Sequence, residues 1–146
     1  MVTSEKAAAK LDVFLSFDIE HDDAERLDFI SKIANSARAF SVAQWSSPAR
    51  SPHSDWDKLD LAKVERCDLV IVLVGKDTAA AVNVDREIGF AKQKNVPYFG
   101  VYVGGANESV GLPARLPANR TIPCDWQRVS AAIDQLMSEG KNHVFR

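Results

Sequence analysis

An α/β sandwich around a mostly parallel sheet is the fold class this sequence predicts, and three observations predict it. Apolar, β-rich runs alternate with stretches of helical period along the chain, the pattern of strands joined by helical crossovers. The two strongest runs, "LDVFLSF" (11–17) and "CDLVIVLVG" (67–75), do not alternate polar with apolar, which fits strands buried on both faces. The length of 146 residues, with 46% hydrophobic and 26% charged, suits one globular domain with a sizeable core.

The elements follow in order. After the first strand, "DDAERLDFISKIANSA" (22–37) repeats apolar residues at 27, 30 and 33–34 and reads as a helix, with Asp22 or Asp23 as its cap. "FSVAQW" (40–45) is a second, weaker strand. "SDWDKLDLAKVER" (54–66) opens on a Ser/Asp cap and is a helix, and the run at 67–75 is the third strand. "AAAVNVDREIGFAKQK" (79–94) is helical after Thr78. "VPYFGVYVGG" (96–105) is a strand entered through Pro97 and left through paired glycines. "RTIPC" (120–124) is a weak fifth strand, and "DWQRVSAAIDQLM" (125–137) closes the domain as a helix. The domain spans 11–138, with tails at 1–10 and 139–146.

The formal net charge of -2 offers no polyanion-binding surface, so nucleic acid is a poor partner. Two cysteines are too few for a disulfide scaffold, and Cys67 reads as a small buried hydrophobe. No apolar run reaches the length of a membrane span, and "MVTSEKAAAK" is too polar for a signal-peptide core, so the cytoplasm is the expected compartment. His21, His53 and His143 lack ligand spacing, and no metal site is expected. Neither a Gly-x-Gly-x-x-Gly turn nor a P-loop occurs.

Ligands of such sheets bind outside the carboxyl ends of the strands. That directs attention to "SFDIEHDD", "QWSSPARSPHSDW" and "GKDTAAAVN". On the helix over 79–94, Ala80, Val84, Ile88 and Ala91 form a stripe toward the sheet, while Asp85, Arg86, Lys92 and Gln93 turn to water. Glu87 lies at the stripe's edge, and the positions one turn away (Asn83, Val84, Phe90, Ala91) carry no cation. A half-buried carboxylate without a partner has a raised pKa, a condition found at functional sites. A solvated surface charge is the bland alternative. Phe17 or Trp45 is suited to stacking on a flat ring, and Arg50 to meeting a phosphate, although packing alone also accounts for aromatic residues there.

Taken together, "DVFLSFD", "CDLVIVLVGKDT", "NVDREIGFAKQKNVPYFGV" and Trp126 resemble the TIR-like domains, in particular the TIR subunit of Thoeris antiphage systems. The resemblance implies a flavodoxin-like three-layer sandwich with a parallel five-stranded sheet in the order 2-1-3-4-5. It also implies an NAD+ glycohydrolase or cyclase that uses NAD+ as substrate, needs no cofactor, and makes ADP-ribose or a cyclic product. The family's catalytic glutamate maps to Glu87. Its aromatic and small polar residues at the first strand's end map to Phe17 with Ser16 and Asp18, and Asn83 stands where many members carry tryptophan. Phe17, Trp45, Asn83 and Glu87 are then expected around one cleft. TIR–TIR self-association is implied, with "SSPARSPHSD" (46–55) completing the neighbour's site, as is a downstream effector that senses the product. Two rivals are a non-catalytic self-associating TIR module and, from "EIGFAKQKNVPYFG", a nucleoside 2-deoxyribosyltransferase-like enzyme.

Overall fold

Strands β1 (Leu11–Ser16), β2 (Phe40–Trp45), β3 (Leu69–Val74), β4 (Tyr98–Tyr102) and β5 (Thr121–Pro123) pair in parallel, in the order β2-β1-β3-β4-β5. These come from a computed structural model that describes residues 11–34, 40–46 and 54–139. Of the tails expected at 1–10 and 139–146, only Glu139 is described, at the end of the last helix; Arg50 and residues 47–53 of the segment expected to complete a neighbour's site also lie outside the described residues. Helices α1 (Asp23–Ala34), α2 (Ser54–Arg66), α3 (Val82–Gln93) and α4 (Trp126–Glu139) complete the alternation, so the chain has the expected α/β architecture with a parallel sheet.

Two apolar layers sandwich the sheet. On one face Val13, Leu15 and Phe17 of the first strand and its exit join Phe29 of α1 and Val129, Ile133 and Leu136 of α4. On the other, Phe14, Val70, Val72 and Val74 meet Val64 of α2 and Val84, Ile88 and Ala91 of α3. All six residues of β3 are buried, which explains its unbroken apolar run.

One irregularity in the sheet matters for the site. β1 and β2 are in step from Leu11↔Phe40 to Val13↔Val42, then Phe14 pairs with Gln44 and Leu15 with Trp45. Ala43 is left without a counterpart, the two-against-one count of a bulge. The ladder then continues past Trp45, where the Ser46 N–H donates to Leu15 O at 3.1 Å.

The helix expected from residue 79 is interrupted. Thr78–Ala80 form a short 3-10 turn, Ala81 is extended (φ -77°, ψ 107°), and α3 begins at Val82. Ala80 therefore leaves the predicted stripe, and Val84, Ile88 and Ala91 carry it. The end of α3 is well specified. Asn95 takes a left-handed φ of 57°, its N–H reaches Lys92 O, and the Val96 N–H reaches Ala91 O at 2.9 Å. That pair of bonds is a Schellman termination, with asparagine tolerated at the left-handed position.

Candidate functional site

The chain runs from β1 outward to β2, then returns across β1 to β3, so the sheet's switch point lies between β1 and β3. Ser16 ends β1 at this point, Ser46 follows the end of β2, and α3 lies across the same face. Three elements thus converge on one side chain, Glu87.

Glu87 is completely buried. Its Oε1 accepts hydrogen bonds from Ser16 Oγ at 2.7 Å and Ser46 Oγ at 2.6 Å. Asn83, one turn earlier, donates through Nδ2 to Phe17 O at 3.1 Å and more distantly to the same Oε1 at 3.5 Å. The Phe17 N–H donates to Ser46 Oγ at 3.1 Å, which fixes the hydroxyl that serves Glu87. Glu87 Oε2 is buried with no hydrogen-bond partner among the described residues. Burial pushes the Glu87 carboxyl up to about 8, against the pull of the two serine hydroxyls and with help from the neighbouring Asp60 carboxylate. At neutral pH this arrangement holds Glu87 mainly as a neutral acid.

A second set of contacts braces the rim. Thr78 Oγ1 accepts the Gly75 N–H at 2.7 Å and donates to Asp22 Oδ2 at 2.9 Å, tying the loop after β1 to the loop after β3. A Cβ on Gly75 would stand 2.5 Å from Asp22 Oδ1, so any side chain there would displace the carboxylate from Thr78. The Asp22 carboxylate, expected as a helix cap, is thus engaged across the loops.

The sequence-predicted residues divide accordingly. Ser16 and Asn83 touch Glu87 directly. Phe17 contributes only its backbone: its ring is 2% exposed, packs in the core of the opposite sheet face and lies under the Arg26 guanidinium at 5.5 Å. The stacking role expected of that ring is therefore corrected, since alternation along the chain turns it away from Ser16 and Glu87. Asp18 is turned to its own loop, accepting from His21 Nδ1 at 2.7 Å and the Glu20 N–H at 3.1 Å. Trp45 is placed by its backbone opposite Leu15, and its side chain lies outside the described residues.

Glu87 also differs from expectation: it is wholly rather than half buried, and its two closest partners, Ser16 and Ser46, come from outside its own helix. Two cavities among the described residues lie elsewhere. One is lined by Glu25, Asp28, Lys32, Gly104 and Cys124 among others, and the second lies between α4 and β4–β5. Sequence reading also missed Ser46 and Asp60. Asp60 is fully buried on α2 and pairs with Arg86 Nη2 at 3.0 Å, so Arg86 does not turn to water as the helical wheel suggested. Its signal was present, since Asp60 stands one turn before the buried Val64. No group of three His, Cys, Asp or Glu side chains among the described residues is arranged to hold a metal ion. No helix among them is long and apolar enough to cross a membrane.

A parallel α/β sandwich with a carboxyl on the helix after β3, met by serines from β1 and β2, fits the class of TIR-like domains. The model of the family described as Thoeris protein ThsB, TIR-like domain, matches residues 14–108, and the chain belongs to that family. The matched span contains Ser16, Ser46, Asp60, Asn83 and Glu87. No curated protein matches the chain.

Proposed function

We propose that this TIR-like domain cleaves the nicotinamide–ribose bond of NAD+, with Glu87 as the catalytic carboxylate, in the setting of antiphage signalling. The observation that carries this reading is the convergence of Ser16, Ser46 and Asn83 on a single buried Glu87 at the switch point of the sheet.

One carboxylate suffices for this bond. Ordinary glycoside hydrolysis needs an acid to protonate the departing oxygen. Nicotinamide in NAD+ is already cationic, so it leaves neutral with the electron pair of the C1′–N bond. The ribose left behind is oxocarbenium-like and requires a negative charge beside it and a fixed orientation. Glu87 in its ionised form supplies the charge, and Asn83 and the two serines set its position. Capture by water gives ADP-ribose and a proton. Capture by a nucleophile of the same molecule gives a cyclic product.

The closed, neutral Glu87 is the resting form in this reading. Substrate entry requires the rim to open, and hydration of the carboxyl then removes the burial that holds its proton. Packing of neighbouring TIR domains, with residues 46–55 contributing, is the proposed trigger.

The test is direct. Purified protein incubated with NAD+ should release nicotinamide, and Glu87→Gln should lose roughly a hundredfold or more of that rate while remaining folded. Wild-type protein that consumes no NAD+ over a wide concentration range would favour the self-association module. Base release from deoxynucleosides instead of NAD+ would favour the deoxyribosyltransferase.

A further inference from the structure

Two carboxyl oxygens are left over when the hydrogen bonds of this site are assigned. Asp60 Oδ1 and Glu87 Oε2 are both buried without a partner among the described residues. The companion oxygen of each is satisfied: Asp60 Oδ2 by Arg86 at 3.0 Å, Glu87 Oε1 by Ser16 and Ser46. The Asp60 carboxyl faces Glu87 closely enough to act on it by both hydrogen bonding and charge. Two buried acceptors share this site with one buried donor, Arg86 Nε, so one of the two oxygens still lacks a proton. Leaving both ionised would bury an uncompensated negative charge, which is strongly destabilising.

We infer that Asp60 and Glu87 share a single proton between Asp60 Oδ1 and Glu87 Oε2, and that Asp60 is a positioning residue that keeps the catalytic carboxyl neutral and oriented until the site opens. Arg86 decides where the proton resides. Its guanidinium lies against Asp60 at 3.0 Å, while the other groups facing Glu87 (Ser16 from β1, Ser46 beyond β2, Asn83 from α3) are uncharged. The proton therefore rests mainly on Glu87 and passes to water when the rim opens. Like-charge pairing of this kind raises the pKa of one partner strongly, as in other carboxylate dyads. The catalytic part of the inference rests on the NAD+ reading, whereas the shared proton does not.

The experiment is an infrared pH titration of the full chain, following the protonated-carboxyl stretching band and, in parallel, nicotinamide release. Wild type should show the band at neutral pH, and Glu87→Gln should lose it. Asp60→Asn places an amide donor against Glu87 Oε2, which favours the carboxylate, so the band should titrate lower by about one pH unit or more. Arg86→Gln removes the cation beside the two carboxyls, so the band's titration should move upward instead. If Asp60→Asn fails to fold, the upward shift in Arg86→Gln still decides the matter. A wild type without the band at neutral pH, or variants whose titration does not move, would overturn the pair. The acid limb of NAD+ cleavage should shift with the band in Asp60→Asn. Absence of any NAD+ cleavage alongside the expected infrared shifts would count against the proposed function and leave the shared proton standing.

Discussion

Glu87 behaves in this protein as a buried acid whose ionisation is opposed by its surroundings. Its carboxyl is pushed from an ordinary 4.5 to about 8, so between those limits the folded protein holds a proton that the unfolded chain releases. Stability must then fall as pH rises from about 4.5 to about 8, with a slope set by the proton difference between the two states. At about 1.4 kcal/mol per pKa unit, the loss reaches a few kcal/mol at the upper end. Glutamine mimics the neutral acid: its carbonyl accepts from the serines and its amide faces Asp60. Urea denaturation of Glu87→Gln from pH 5 to 8 should therefore give a flatter stability curve than wild type, with the variant more stable at pH 8. Parallel curves would show that Glu87 ionises freely in the folded state.

Among the elements, the brace between the loops after β1 and β3 is held by close contacts of Gly75, Thr78 and Asp22. Gly75→Ala drives a methyl into the Asp22 carboxylate, where a Cβ would stand 2.5 Å from Oδ1. A cost of about 1–3 kcal/mol in urea denaturation is expected, the range for overpacked sites. In an Asp22→Ala background the same substitution should cost clearly less, because the two residues are in contact and their effects are not additive. The elements themselves were legible in the sequence: alternation and apolar runs predict the strands and helices, including the weak "FSVAQW" and "RTIPC". Glu87 was legible too, because a carboxylate beside the Val84–Ile88–Ala91 stripe conflicts with its surroundings. Of its partners, Ser16 and Asn83 were expected from the family resemblance, whereas Ser46 and Asp60 were not, because they come from other elements. The hydrogen bonds of Glu87 to Ser46 and Ser16 span 41 and 71 residues, distances at which helical spacing carries no information.

At the scale of the whole molecule, the complete burial of Glu87 and the proposed enzymatic reading together require an opening step. If neighbouring domains supply it, specific activity depends on how often two copies meet. A dilution series with NAD+ should show initial rates rising more steeply than linearly with protein concentration. Constant specific activity over the series would place the opening within one chain.

The bulge in β2 has a consequence for how much editing that strand tolerates. Ala43 is a residue that the ladder does not count, since Val42 and Gln44 already face Val13 and Phe14. Removing it leaves an uninterrupted strand in which Trp45 still meets Leu15 and Ser46 still follows to reach Glu87. Removing Ser41 or Gln44 instead shortens a strand whose members are each paired with β1. A variant lacking Ala43 should therefore fold and keep its acid in place, while either of the other two deletions should unfold at markedly lower urea. The strand thus carries one residue of slack, placed upstream of the serine that holds Glu87.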